Sequence, residues 1–400
     1  MTAARPRPSS ATGSSGVSAA LLVAAILLLA LNLRGPLVAV SAVLDPIRAD
    51  LGIDAATAGL FTSLPVLCFG LATPLASALL ARTGLGRGVL ISLAVLLVGI
   101  VVRSLDGLPM AIAGTLLLGV AITIGNVAVP VVIGRDLRER SGAVLGMYTA
   151  ALNVGSMLTL SLTVPIAAAT GWRTALAGWG VLILVAAVVW WWAMRRTAPA
   201  HGAEEPVFVV GGPVGPAWWR RPVAWGLTAA FAGQAFAYYG VTAWLPQLLR
   251  DELAMDAAAA GAGSSIFQIA ALAGAFGVPV LLRYSPGPRA VVLVVCAAWT
   301  ALPLGLLLAP QLWAVWCVLG GAAQGGGMTV IFSLIVRVAR DLAENRQMSA
   351  LVQGGGYTVA ATGPTVVGAV HGATGGWTMP LLVVLAAIAL LAVAGTAAAG

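Results

Sequence analysis

The sequence predicts an all-α membrane protein in which twelve transmembrane helices form two parallel-repeat halves of six helices each. Three observations predict this fold class: the composition, the recurrence of long apolar runs, and a repeat that relates the two halves of the chain. Hydrophobic residues make up 60% of the 400 residues, charged residues only 8%, and the mean hydropathy is +1.00. Soluble domains carry about 25% charged residues, so this composition is typical of a chain that lies in a bilayer.

Apolar runs long enough to cross a membrane recur from one end of the chain to the other. A helix needs about 20 apolar residues to cross the hydrocarbon layer. Short loops separate the runs. The twelve predicted spans lie near residues 18–44, 56–81, 88–105, 107–133, 143–169, 174–194, 222–248, 257–282, 289–309, 311–336, 347–371 and 377–398.

The longest predicted loop divides these spans into two sets of six. This loop is rich in Pro and Gly and carries a pair of arginines at each end. Trp residues flank it, as in the aromatic belts at membrane interfaces. The predicted regions are a disordered tail at 1–17, an N-terminal six-helix half at 18–194, a cytoplasmic linker at 195–221 and a C-terminal six-helix half at 222–400.

The distribution of arginine predicts the orientation of the chain. Sixteen arginines fall in tails and loops on one side of the predicted spans, and four fall on the other, namely Arg48, Arg103, Arg173 and Arg250. Positive residues concentrate in cytoplasmic loops, so both termini are expected in the cytoplasm and the protein in the inner (plasma) membrane, with the lipid bilayer as its surroundings. Despite the net charge of +8, the basic residues form no patch, so nucleic acid is not an expected partner.

The two halves repeat each other. The segment "RADLGIDAATAG" begins at Arg48 and "RDELAMDAAAAG" begins at Arg250, each directly after the first span of its half. They share Arg, Leu, Asp, Ala-Ala, Ala and Gly in register. Parallel repeats of six spans are typical of a transporter architecture whose substrate site lies near the bilayer midplane between the halves.

Motifs spread along the whole chain are similar to those of one transporter family. They include "NLRGPL" at 32–37, "GNVAVPVVIGRD" at 125–136, "YYGVTAWLPQLLRD" at 238–251 and "QGGGYTVAATGP" at 353–364. With these motifs the chain resembles the major facilitator superfamily and, within it, the cyanate-transporter family, which also contains nitroimidazole transport proteins. The resemblance implies the major facilitator fold and a cyanate-like anion or a nitroheterocycle as substrate.

Arg34 lies deep in the first predicted span, beside Gly35 and Pro36, which are expected to break or kink the helix. An arginine at this depth costs at least a few kcal/mol on insertion scales and needs a partner. No Asp or Glu lies inside any of the twelve predicted spans, so Arg34 has no predicted counter-ion there. We interpret Arg34 as an anchor for an anion or a dipole. The alternative is a structural arginine that caps carbonyl groups of its own kinked helix.

Amide and phenol side chains lie at similar depth in other spans, where they either bind a polar solute or join helices to each other. Gln324 precedes a run of three glycines, a pattern that favours tight packing. The residues predicted to contact substrate are Arg34, Asn32, Asn126, Tyr148, Asn153, Gln234, Tyr238, Tyr239, Gln268 and Gln353.

The predicted function is secondary active or facilitative transport of a small polar or anionic solute by alternating access. A multidrug or antibiotic efflux permease for larger apolar solutes is the alternative. The sequence contains no phosphate-binding loop, metal-ligand cluster or nucleophile–base pair, so no enzymatic activity, metal or cofactor is expected. The protein is expected to act as a monomer.

Overall fold

The structure is a computed structural model that describes residues 12–196, 220–340 and 342–400, and within these ranges it is helical without strands. The helices are, in chain order, α1 (Thr12–Ala42), α2 (Leu44–Leu51), α3 (Ala55–Leu71), α4 (Thr73–Thr83), α5 (Leu85–Arg103), α6 (Leu108–Asp136), α7 (Ser141–Thr170), α8 (Trp172–Gly178), α9 (Gly180–Arg196), α10 (Pro222–Leu253), α11 (Ala257–Tyr284), α12 (Pro288–Leu308), α13 (Trp313–Val338), α14 (Leu342–Ala360), α15 (Thr362–Thr374) and α16 (Thr378–Ala398).

These helices group into twelve hydrophobic units, six in each half. Helices α3 and α4 are one unit interrupted at Ala72, α8 and α9 are one unit interrupted at Trp179, and α14 and α15 are one unit interrupted at Ala361. The short helix α2 follows the first unit. This arrangement agrees with the predicted fold class.

Length and hydropathy alone identify fewer spans than twelve. Among the described residues, nine segments are long and apolar enough to cross a membrane individually, and α2 with α3 passes the same test as a pair bent by 119°. The seventh unit, α10, is a continuous helix of 32 residues, but it carries several polar side chains in its middle. The eleventh unit is divided into two helices, so neither its length nor its apolar character is continuous.

Two predicted regions lie largely outside the described residues. Of the predicted tail at 1–17, residues 1–11 are outside them, and helix α1 already begins at Thr12. Of the predicted linker at 195–221, residues 197–219 are outside them.

The two halves meet along a small set of helices. Helix α1 packs against α10, α3 packs against α14 and α15, and α7 packs against α11. At the end of the bundle that carries α2, Arg250 forms an ion pair with Asp45, and the hydroxyl groups of Ser63 and Thr365 share a hydrogen bond of 2.9 Å. Both contacts join one half of the protein to the other.

The repeated loops adopt the same local structure. Asp54 accepts a hydrogen bond of 2.8 Å from the amide of Thr57 at the start of α3, and Asp256 accepts one of 2.8 Å from the amide of Ala259 at the start of α11. An acidic N-cap satisfies an amide that the helix itself leaves unpaired. The hydrogen bonds from Thr57 lower the pKa of Asp54. The sequence repeat is therefore also a repeat of capped helix starts.

Candidate substrate-binding site

The "NLRGPL" motif distributes its side chains around α1, because successive helical residues are about 100° apart. Asn32 points away from the space between the halves and donates hydrogen bonds to the carbonyl oxygens of Leu28, at 2.7 Å, and Leu182 of α9, at 3.3 Å. On another face α1 packs closely against α7, where a Cβ atom added at Gly155 would lie 2.3 Å from the carbonyl oxygen of Leu31. Asn32 and Gly155 thus fix α1 against two helices of its own half.

Helix α1 is continuous through Gly35 and Pro36, so the break expected at these residues is absent. Arg103 lies next to this point, with Nη1 donating a hydrogen bond of 2.8 Å to the carbonyl oxygen of Pro36. The sequence predicted Arg103 on the outer side, but its side chain is buried and only 1% exposed. The arginine that binds a carbonyl of α1 is therefore Arg103, which comes from α5.

Arg34 faces the second half of the protein instead. Its Nη1 donates a hydrogen bond of 3.2 Å to Oδ1 of Asn153, and its Cζ lies 5.2 Å from the ring centroid of Tyr238. This distance allows a cation–π interaction, which contributes about 0.5–2 kcal/mol. No described carboxylate forms an ion pair with Arg34. Its positive charge is thus held by neutral groups alone.

Arg34 lines a small cavity between the halves. Helix α1 contributes Arg34, and α10, α13 and α14 of the second half contribute the other lining residues. The cavity is lined by Arg34, Gln234, Ala235, Tyr238, Tyr239, Gln324, Met328 and Tyr357. One half therefore supplies the charge, and the other supplies aromatic rings, amides and a thioether.

Neighbouring side chains hold this lining in place. Tyr238 donates a hydrogen bond of 3.2 Å to Oε1 of Gln268, and Nε2 of Gln268 donates one of 3.2 Å to Thr242. Oε1 of Gln234 accepts a hydrogen bond of 2.8 Å from the indole of Trp299. These buried polar groups fix the side chains of α10 that face the cavity.

The first half is braced in a similar way. Nδ2 of Asn153 donates a hydrogen bond of 2.8 Å to the carbonyl oxygen of Thr149, which orients Oδ1 of the same amide toward Arg34. The hydroxyl of Tyr148 donates a hydrogen bond of 3.1 Å to Oδ1 of Asn126, which joins α7 to α6. Asn153 thus supports Arg34 directly, whereas Asn126 and Tyr148 join two helices of the same half.

A second cavity, of about 310 Å³, lies among α10, α12, α15 and α16. Apolar residues such as Trp244, Leu302 and Leu381 line it. It offers no charged or amide group to a polar solute, so the cavity at Arg34 is the candidate site.

The structure separates the ten predicted residues into four groups. Four line the cavity (Arg34, Gln234, Tyr238, Tyr239), two hydrogen-bond to a lining residue (Asn153, Gln268), two hydrogen-bond to each other (Asn126, Tyr148), and two lie elsewhere (Asn32, Gln353). Gln353 lies on α14, one turn before the lining residue Tyr357.

Four lining residues were absent from the prediction: Ala235, Gln324, Met328 and Tyr357. A signal for Tyr357 exists in the composition. The chain has only five tyrosines. Tyr284 is 77% exposed, whereas Tyr148, Tyr238 and Tyr239 were already candidates, which leaves the partly buried Tyr357 as the remaining phenol. Tyr357 also packs edge-on against Phe69, with ring centroids 5.6 Å apart.

A comparison with known families decides the identity of this architecture. The sequence profile of the Major Facilitator Superfamily matches residues 20–289. The chain belongs to the Major Facilitator Superfamily. A crystal structure of a bacterial homologue of the human lysosomal transporter Spinster, in an inward-facing and unoccupied conformation, has the same fold, with a TM-score of 0.76, 15% identity and 98% coverage of both chains.

Three relatives within the superfamily match nearly the whole chain. An uncharacterized transporter of Bacillus subtilis, YycB, is 32% identical over 94% of this chain and 93% of its own. The 2-nitroimidazole transporter of Escherichia coli is 29% identical over 97% of both chains. The cyanate transport protein CynX of Escherichia coli is 27% identical over 88% of this chain and 91% of its own.

This membership confirms the predicted family and the predicted class of function. The protein is a multi-pass membrane transporter of small solutes and not an enzyme. The alternative of an efflux permease for large apolar solutes is not favoured, because two of the relatives are named for small polar solutes.

Proposed function

We propose that the protein transports a small polar or anionic solute, a cyanate-like anion or a nitroheterocycle, which binds to Arg34 in the cavity between the halves. The names of two relatives, a 2-nitroimidazole transporter and a cyanate transport protein, support these substrate classes. Alternating exposure of the cavity to the two sides of the membrane would move the solute, by a secondary active or a facilitative mechanism.

The observation that carries this proposal is the guanidinium of Arg34, which faces free volume without a described carboxylate partner. Arginine keeps its charge under all physiological conditions, and its planar fork matches oxyanions and nitro groups. Asn153 and Tyr238 orient the fork without neutralising it. A passing anion or strong dipole therefore completes the coordination of Arg34.

The test is substrate affinity in purified, folded variants of Arg34, with cyanate and 2-nitroimidazole as probes. Arg34→Gln removes a charge-assisted hydrogen bond, which contributes about 1.5–3 kcal/mol, so we expect affinity to fall roughly ten- to a hundred-fold. Arg34→Lys keeps the charge but loses the fork and should recover only part of this loss.

Arg173→Gln is the matched control, since Arg173 pairs with Asp50 and Asp106 outside the cavity. It should leave both affinities unchanged. Unaltered affinity in Arg34→Gln, accompanied by a lower melting temperature, would show that Arg34 only braces its helix and would reject the proposed site.

We further propose that the protein lies in the inner (plasma) membrane as a monomer with both termini in the cytoplasm. The arginine distribution supports the orientation. A single cysteine introduced in the 195–221 loop should be inaccessible to an impermeant thiol reagent in intact cells. The native Cys68, Cys296 and Cys317 are buried and give little background. Labelling from outside would reverse the proposed orientation.

A further inference from the structure

Gln324 carries an unused hydrogen-bond donor in a side chain that lines the cavity. It lies on α13, is only 3% exposed and lines the cavity beside Arg34. Its Nε2 is buried and has no partner among the described residues. Buried amides are nearly always hydrogen-bonded, because removing them from water without a replacement partner is unfavourable. An unpaired donor on a cavity-lining residue therefore indicates a group that turns to a substrate when the cavity is filled.

The other amide in the lining is already occupied. Gln234 donates through Nε2 to the backbone carbonyl of Gln324, at 2.8 Å, and accepts through Oε1 from Trp299, at 2.8 Å. These two bonds fix the backbone at Gln324. The hydroxyl of Tyr238 is also engaged, since it donates to Gln268. The amide of Gln324 is thus held in position while its own donor stays unpaired.

The rest of the lining is largely aromatic. The rings of Tyr238 and Tyr239 are 4.8 Å apart and those of Tyr239 and Tyr357 are 6.4 Å apart, measured between centroids, and both pairs meet edge to face or tilted. Met328 adds a polarizable thioether. A heteroaromatic ring offers these side chains a π face to pack against, which a linear triatomic anion lacks.

We propose that Gln324 determines specificity by donating a hydrogen bond to an acceptor atom on the edge of a planar heteroaromatic substrate whose nitro or oxyanion end binds Arg34. This inference rests on the proposed function and narrows it from small polar solutes in general to heteroaromatic rings that carry an acceptor atom in the ring as well as a nitro or oxyanion group. Arg34 supplies the affinity for the negative end, and Gln324 distinguishes one ring from another.

The experiment compares two ring probes in calorimetric titrations of the purified protein. The probe 2-nitroimidazole has an acceptor nitrogen in its ring, whereas 2-nitropyrrole has the same nitro group and ring N–H without that acceptor. Gln324→Leu should weaken binding of 2-nitroimidazole by about three- to tenfold, the loss expected for one neutral hydrogen bond. It should leave the affinity for 2-nitropyrrole unchanged, so the preference between the two probes disappears.

Gln247→Leu provides the matched control. Gln247 is also a buried glutamine with an unpaired side-chain atom, but it lies outside the cavity lining. This variant should keep the preference of the wild type. The melting temperature supplies a second readout, because Gln324→Leu removes an unpaired buried donor and should not lower it. If Gln324→Leu loses affinity equally for both probes and has a lower melting temperature, Gln324 has a structural role and the inference is overturned.

Arg34→Gln separates this inference from the proposed function. If Arg34→Gln lowers the affinity for both probes and Gln324→Leu lowers neither affinity, Arg34 is the anchor and only the role of Gln324 is rejected. If the wild-type protein binds neither probe, the heteroaromatic substrate class is rejected, and cyanate binding then decides whether Arg34 is an anion anchor. If Arg34→Gln leaves the affinity for every probe unchanged, the proposed site itself is wrong.

Discussion

Arg34 and Arg103 are two arginines in the helices of the first half, and their environments differ completely. Neither forms an ion pair with a described residue. Arg103 is 1% exposed and donates one hydrogen bond to a backbone carbonyl, that of Pro36, while its Nε and Nη2 have no described partner. Arg34 contacts only side chains and opens into the cavity. Depth in the membrane therefore does not distinguish these two arginines, whereas adjacent free volume does.

The largest expected difference between the two arginines is in stability. Arg103→Ala leaves a cavity beside α1 and removes the donor to the carbonyl of Pro36, so we expect a loss of about 2–4 kcal/mol in the free energy of unfolding. Substrate affinity of the folded fraction should stay within about twofold of the wild type, since Arg103 does not line the cavity and shares no hydrogen-bond partner with Arg34. Thermal unfolding and titration of the same preparation measure both quantities. A large loss of affinity would place Arg103 in the binding machinery.

Asn153→Asp should give Arg34 a carboxylate partner that compensates its charge. It replaces the Oδ1 acceptor, 3.2 Å from Nη1 of Arg34, with a carboxylate oxygen of nearly the same shape. The new ion pair would neutralise the cavity and compete with the substrate, so affinity for cyanate should fall about tenfold or more. Asn153→Ser, which removes the acceptor without adding charge, should have a smaller effect. Equal affinities for the Asp variant and the wild type would show that the charge of Arg34 does not contribute to binding.

The smallest expected effect is that of Arg103→Lys. Arg103 uses only Nη1, so an ammonium group can donate to the carbonyl of Pro36 in its place. We expect a change of less than about 1 kcal/mol in the free energy of unfolding, the typical contribution of one hydrogen bond. The same substitution at Arg34 should cost substantially more affinity, because there the fork itself is used. If Arg103→Lys unfolds the protein, the planar shape of the guanidinium matters at both positions.

The sequence predicted the helices well because apolar length and loop charge are properties of the chain itself. The interruptions at Ala72 and Ala361 were not predicted, since each lies inside a continuous apolar run. The described helix α1 crosses Pro36 without the expected break. At this point Arg103 of α5 donates a hydrogen bond to the carbonyl oxygen of Pro36. These residues are 67 positions apart, so the local sequence around Pro36 does not indicate the contact.

The site was predicted in part because sequence position gives the depth of a residue but not its direction. Asn32 and Arg34 lie at almost the same depth, yet about 200° around a helix separates them, so only one faces the cavity. Gln234 and Tyr238, one helical turn apart on α10, share a face and both line it. Gln324 was interpreted as part of a tightly packed glycine stretch. Its exposure to the cavity depends on how α13 is rotated against α10, which is a tertiary property.

The left-handed turn at Ala254 has a genetic consequence. Its counterpart in the repeat, Gly52, has φ of 61° without strain, whereas Ala254 has φ of 51° with a Cβ atom. An L-residue in this conformation costs roughly 1–2 kcal/mol relative to a relaxed backbone. Alanine and glycine codons differ by a single nucleotide, so one point mutation converts the second loop to the form found in the first. The protein thus lies one mutational step from a more stable variant of itself, at a position remote from the cavity.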